Sequence, residues 1–498
     1  MLLGFGLAVT ILNLDLTIVN LALPAIGSVF HIGLTHLQWI NNSFVLAMTC
    51  VTLLSGHYAD QYGRKKIYLI GIFVFTLGSL LASFAVNTSM IVSGRTLQGL
   101  GIGISFPLSL ILIGESFPEY QRGTAMGLLS TFAGVSQAIG PTLGGFIVEW
   151  LGWRWAFIIN LPICPIVILI VWWKCRAGLK TAESKYPLHL LSVFLLMAGL
   201  IAILTALNQI HDWGLGSVLF LGTFGIGILL LVSMLILQKR ITYPFIDLTI
   251  FNNPAFAAIN IIRPIFQFVF FGFYFILPLY LQNFLSYTPT QTGLIILMMT
   301  IMMGILSPLV GRFIDRIGPR LPLQISNSCM VLSFLIFIFI SIHLNFVLLA
   351  AGLVLLGIAT GIMFPTSNFT AVHSVSLEKK GIGMGVYSTT GGVMSSMGIA
   401  ISGAVLSFVS TADFHRLVLK NNLVATASQF PNLNDMVNGA QPLHLPSSLL
   451  PLAQHAFLLS LHSIMMLYVL LAVIALFCCR YIFTKSPAKE SGHIAMIE

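Results

Sequence analysis

Asp15 is the one carboxylate that falls deep inside a long apolar run of this sequence. A carboxylate in such a setting is expensive to bury, and proton relays are built from such groups. Two cations share its placement, Arg95 and Arg263. Asp15 lies about nine residues, and Arg95 about five, from the same end of their respective runs, a depth difference of roughly 6 Å at helical rise. That is within reach of an arginine side chain, so the two are expected to pair. Burial favours the neutral carboxyl and a nearby cation the charged one, so a group pulled both ways can carry a proton. The alternative is a static buried ion pair that joins two helices. Arg263, followed by Pro264, has no acidic partner in neighbouring runs. It either faces a cavity or extends toward the nearer interface. Glu115 sits at a run's end and reads as interfacial.

These residues need long helices to hold them. The chain has 498 residues, 57% apolar, with 23 Lys and Arg and 14 Asp and Glu, or 7% charged. Its mean hydropathy is +0.98. Soluble domains carry roughly 25% charge, so this surface must face lipid. The composition excludes a disordered chain, and long unbroken runs exclude a β-barrel. The thinly spread basic residues exclude a nucleic-acid partner. The six cysteines form no metal or disulfide spacing.

An all-α membrane protein follows, with fourteen expected spans: 2–24, 38–58, 67–86, 90–116, 123–148, 155–173, 188–208, 215–237, 255–282, 290–311, 321–342, 346–369, 382–409 and 455–482. The first is read as a retained span, because its first fourteen residues hold no Lys or Arg and Asp15 interrupts it. With the N-terminus inside, 18 of the 23 Lys and Arg fall in inner loops and tail and three in outer loops. The positive-inside rule then places both termini in the cytoplasm.

Two loops echo each other. Gly56, Asp60, Gly63, Arg64 and Lys65 follow the second span; Gly311, Asp315, Gly318 and Arg320 follow the tenth. Both read GxxxDxxG and then a basic residue. The glycines allow a tight turn, the aspartate can cap a helix, and the basic residues anchor the inner face. Such a duplication marks two six-helix halves that rock against each other. The expected units are an N-terminal bundle (1–173), a linker with two inserted helices (174–249), and a C-terminal bundle (250–498) with an outer loop (410–454) and a tail (483–498).

Polar side chains inside spans tend to face the bundle interior, so Asn20, Gln98, Gln137, Asn160 and Asn368 join Arg263 as candidates to line a substrate cavity. Span nine is crowded with rings (Phe266, Phe268, Phe270, Phe271, Phe273, Tyr274, Phe275); some of them are expected to meet lipid, and others could line an apolar substrate cavity. The fifth run brings Gly140 and Gly144 at GxxxG spacing with Pro141 and Gly145, which permits close helix approach. The Gly99-x-Gly101-x-Gly103 and Gly381-x-Gly383-x-Gly385 runs lie in apolar helices with no strand before them, and no GK[ST] follows, so no phosphate loop is read.

The stretch from Gly56 to Lys66 resembles the signature loop of the major facilitator superfamily. Leu14-Asp15 to Pro24, Trp39, Arg95-x-x-Gln98-Gly99, Gly140-Pro141-x-x-Gly144-Gly145, Trp153-Arg154-Trp155 to Pro162, Phe364-Pro365 to Asn368 and Gly391-Gly392 resemble its fourteen-span drug:proton antiporter branch. Phe44 departs from that pattern, which more often has tyrosine. The resemblance implies the facilitator fold and a non-enzymatic exporter. The exporter would need no cofactor or metal, being driven by the proton gradient, with Asp15 and Arg95 in coupling. Gly140 to Gly145 would be its antiporter helix, and the inner membrane its place. Lipid, protons and an amphipathic or hydrophobic small molecule are the expected partners; recruitment of a periplasmic adaptor is left open. A solute:proton symporter on the same fold, or a transporter-like sensor or scaffold without flux, are the alternatives.

Overall fold

The computed structural model describes residues 2–116, 132, 135–136, 139–175, 190–209, 213–214, 216–241, 248–340, 345–375, 380–423, 433–439 and 445–482. Gln137 lies outside the described residues, as do the side chains of Gly56, Asp60, Glu115, Gly311 and Asp315. The elements are α1 (Leu2–Phe30), α2 (Leu34–Tyr62), α3 (Arg64–Ser83), α4 (Thr88–Ser116), α5 (139–150), α6 (Trp155–Ile158), α7 (Asn160–Lys174), α8 (Leu190–Asn208), α9 (Val218–Arg240), α10 (Pro254–Pro278), α11 (Pro289–Ile317), α12 (Arg320–Phe337), α13 (Phe346–His373), α14 (Lys380–Lys420), α15 (Leu433–Val437) and α16 (Leu450–Cys478). Among the described residues, 11 helices are long and apolar enough to cross a membrane. With no water in the bilayer core, a helix satisfies every backbone polar group internally, which is why such runs fold this way.

The helices before α8 pack mainly on each other: α4 against α2 and α3, and α7 against α1 and α3. After α9, α10 packs on α14, α13 on α11 and α12, and α16 on α12 and α14. Helices α8 and α9 form an antiparallel pair. Leu196, Leu200, Leu204 and Met234 of that pair dock on Leu46 of α2 and Ala400 of α14. The other faces of α9 are apolar and exposed, as at Val218, Leu221, Leu229 and Ile236, which suits contact with lipid.

Two glycines make the tight turns between α2 and α3 and between α11 and α12. Gly63 has φ 99° and Gly318 φ 75°, in the region that a side chain disfavours. Both echo loops thus turn through a glycine with positive φ.

Two expectations need correction. The ring-rich helix α10 does not present aromatics to lipid: Phe266, Phe268, Phe273, Tyr274 and Phe275 are buried, and Phe270 and Phe271 half-buried. It is wrapped by α14, α16, α13 and α1, so its rings stack on protein, as Phe273 does on Phe337 at 4.8 Å. The thirteenth run does not stop at 409. It continues as helix to Lys420 because Phe414 and Val418 bury against Leu449, Ala453 and Ala456, with Leu433 and Val437 of α15 closing the cluster. Residues 433–439 and 445–449 therefore belong to a packed cap rather than an open loop.

Candidate functional site

Helix α1 is the wall between a buried polar cluster and a largely apolar cavity. Its Asp15 face turns into the first bundle and is fully buried. Arg95 of α4, also buried, donates from Nη1 to Asp15 Oδ2. Gln98 Nε2 and Asn160 Nδ2 both donate to Asp15 Oδ1, at 2.8 and 3.0 Å. Ser79 of α3 accepts from the same two amides at 2.8 and 3.2 Å. Arg95 is completed by Gln98 Oε1 at 2.8 Å, the Ile40 carbonyl at 3.3 Å, and the Phe44 ring, whose centroid is 4.0 Å from the guanidinium carbon. A buried charge pair is tolerable when its remaining donors and acceptors are also met, and here four helices meet them.

The opposite face of α1 lines a cavity of about 80 Å³. Asn13, Leu16, Thr17 and Asn20 form one side; Phe270, Phe271 and Tyr274 of α10, Met299, Thr300 and Met303 of α11, and Phe364 of α13 form the rest. No charged side chain lines it. Asn20 is held by Asn41 of α2, whose Nδ2 donates to it at 2.8 Å.

The structure thus separates the expected cavity residues. Asn20 faces the cavity, whereas Gln98 and Asn160 sit on Asp15. Arg263 stacks 4.0 Å from the Tyr387 ring centroid and donates from Nη1 to the Tyr387 carbonyl at 2.7 Å. Asn368 accepts from the same tyrosine's hydroxyl at 3.0 Å, as does Ser367 at 2.7 Å. Tyr387 therefore joins Arg263 to Asn368. Sequence reading missed it, because a tyrosine in an apolar run carries no signal of its partner. Asn41 was visible as a polar residue in a span. Ser79 was not, since serine is cheap anywhere in a helix. Phe44, where tyrosine was expected, needs no hydroxyl to serve as the face under Arg95.

The helix over 139–150 packs on both halves. Gly140 and Gly144 abut Thr17 and Ile18 of α1; Gly145 abuts the Pro289 carbonyl, and Gly293 of α11 abuts that of Pro141. Beyond the end of the expected span, Glu149 accepts from the Thr290 amide at 3.0 Å, at the N-terminus of α11. Thr288 and Gln291 form a capping box there. Positive partial charge at a helix N-terminus suits that carboxylate. The Thr290 and Thr288 hydroxyls and the Thr290 amide hold it below the ordinary carboxylate range, with the amide making the well-formed bond. Gln282 donates to the Leu21 carbonyl at 3.1 Å, and Gln38 to the Ile399 and Ala400 carbonyls, both at 3.1 Å. These contacts tie the two halves at one end of the molecule. In the echo loop, Lys65 Nζ donates to the carbonyls of Trp172 and Cys175 at 2.8 and 2.7 Å, capping the end of α7.

The family model described as Major Facilitator Superfamily matches residues 5–399. The chain belongs to the major facilitator superfamily. It is an integral membrane transporter, not an enzyme. It is 32% identical over 409 residues to the multidrug resistance protein Stp of Mycobacterium tuberculosis, covering 82% of this chain and 75% of that one. It is 30% identical over 421 residues to the methylenomycin A resistance protein of Streptomyces coelicolor, covering 82% and 85%. Among solved structures, a bacterial homologue of the human lysosomal transporter Spinster, in an inward-facing and unoccupied conformation, matches with a TM-score of 0.66. It covers 98% of both chains at 15% identity, a likeness of fold.

Proposed function

We propose that this facilitator is a proton-driven exporter of amphipathic or hydrophobic small molecules, of the fourteen-span antiporter branch. The observation that carries the reading is the single helix α1, which holds a buried, ion-paired carboxylate on one face and the cavity wall on the other. Relatives named for multidrug and antibiotic resistance support the outward direction. In support of the fourteen-span reading, helices α2 and α8 and the segment 139–150 overlap the remaining expected spans, beside the 11 helices that meet the length and apolarity criteria among the described residues.

In this mechanism Asp15 takes a proton from the outer side and lets go of Arg95. The guanidinium keeps Gln98 and the Ile40 carbonyl as acceptors. Helix α1 is then free to shift, and Thr17 and Asn20 move with it, so the cavity changes as the carboxyl is neutralised. The two halves rock, and the contacts around Glu149, Gln282 and Gln38 open the outer end. The gradient supplies the energy, with no cofactor. Lipid surrounds the bundle in the inner membrane, with both termini cytoplasmic.

The test is substrate-induced proton movement in everted vesicles, read with a pH-sensitive dye. Asp15→Asn should insert normally and abolish the response. A full response from that variant would remove Asp15 from coupling.

A further inference from the structure

Three buried polar atoms along one side of α10 have no hydrogen-bond partner: Nε of Arg263, Oε1 of Gln267 and the hydroxyl of Tyr274. At about 100° per residue, positions 267, 270 and 274 fall within roughly 40° of Arg263 around the helix axis. Phe270 and Tyr274 line the cavity, and Gln267 and Arg263 continue the same side of the helix toward its N-terminus. From 263 to 270 the rise is about 10 Å. Unpaired polar atoms in a buried setting are costly, and these three share one side of one helix.

Arg263 is also a cation with no carboxylate within ion-pair distance among the described residues. Its partners are the Tyr387 ring and carbonyl, which orient the guanidinium without neutralising it. A Cβ on Gly391 would strike that guanidinium, so the glycine is what gives it room. The other end of the row is a slot of rings and thioethers: Phe270, Phe271, Tyr274, Phe364, Met299 and Met303. Faces of this kind take a flat aromatic body.

We propose that the transported compounds include aromatic acids, with the ring system in the Phe270–Phe364 slot and the carboxylate on Arg263. Gln267 between them accepts a hydrogen bond from a hydroxyl or N–H on the aromatic body. This rests on the exporter reading above and adds the charge of the substrate to it. An arginine presents several donors in a planar fork that a carboxylate matches, which a neutral amide of the same shape does not.

The test uses the purified full chain in detergent and two near-isosteric fluorescent probes, anthracene-2-carboxylate and anthracene-2-carboxamide. The wild type should bind the carboxylate at least tenfold more tightly, the scale of a hydrogen bond to a charged group. Arg263→Gln should reduce that ratio to about one by weakening the carboxylate alone, and Arg263→Lys should restore part of it. Phosphatidylglycerol added to the micelles should not compete. The proposal is overturned if the carboxylate fails to bind or is not preferred, if Arg263→Gln weakens both probes equally, or if the anionic lipid displaces the probe. Because binding is read without a gradient, loss of proton-driven flux would count against the exporter reading and leave this ratio standing.

Discussion

Removing one charge of the Asp15–Arg95 pair should destabilise the protein more than removing both. The geometry says why. Asp15 uses both oxygens as acceptors: Oδ1 for Gln98 and Asn160, Oδ2 for Arg95. Asp15→Asn keeps the shape but has one acceptor. If its oxygen stays toward the two amides, its NH2 faces the guanidinium, donor against donor. Turned over, it faces two donors instead. Either way Arg95, buried and charged, loses its counter-ion. Breaking a buried pair from one side costs about 3–5 kcal/mol, and the same holds for Arg95→Met. The double variant Asp15→Asn/Arg95→Met leaves no orphan charge, and Met replaces much of the volume over Phe44. It should be no worse than either single change, giving a coupling energy of about 3 kcal/mol or more. The assay is unfolding by SDS titration in mixed micelles, followed by tryptophan fluorescence, for the four proteins of the cycle. Additivity of the single changes within about 0.5 kcal/mol would refute the reasoning, since contacting residues in one network do not behave so.

The Glu149 contact sets a pH dependence. Its carboxylate is bound while ionised and held below the ordinary range of about 4.3, so the contact persists above that range and fails as pH falls through the lowered value. Spin labels at exposed Trp150 and Leu294 should report a single short distance at pH 7 and a second, longer one on strong acidification. Glu149→Gln should show the longer one at pH 7, and an unmoved distribution in both cases would remove Glu149 from that closure. Gly145→Val places a side chain against the Pro289 carbonyl, backbone that cannot turn aside, so the same label pair should stay long at every pH. Lys65→Ala removes two donors from the end of α7. Being solvent-exposed in part, the loss should be about 1 kcal/mol, seen as faster amide exchange near Trp172 to Cys175 without change elsewhere.

Much of this protein could be read before its structure. Charge scarcity named the membrane, because lipid admits so few ionised groups. The spacing of Asp15 and Arg95 along their runs was enough to pair them, because helical rise turns residue number into depth. Of the echo-loop glycines, Gly63 and Gly318 were legible because a tight turn with positive φ has few other solutions, whereas Gly56 and Gly311 lie within helices and make no turn. Depth, however, is only one coordinate. Whether Gln98 and Asn160 turn toward Asp15 or toward a cavity depends on rotation about each helix axis and on which helix stands opposite. In lipid a weak apolar pattern does not mark the inward face, so the sequence left that rotation open. The same reason hid the enclosure of α10, some of whose rings read as lipid-facing although α14, α16, α13 and α1 surround it. It also hid that Phe270 and Tyr274 of that helix face a cavity, which exists only because Phe364, Met299 and α1 close the space beside them. The amino-acid sequence by itself determined the solvent, the helices and the depth of each charge. The tertiary structure decided which polar groups meet, because packing between non-neighbouring helices sets their rotation and leaves some of them unpaired.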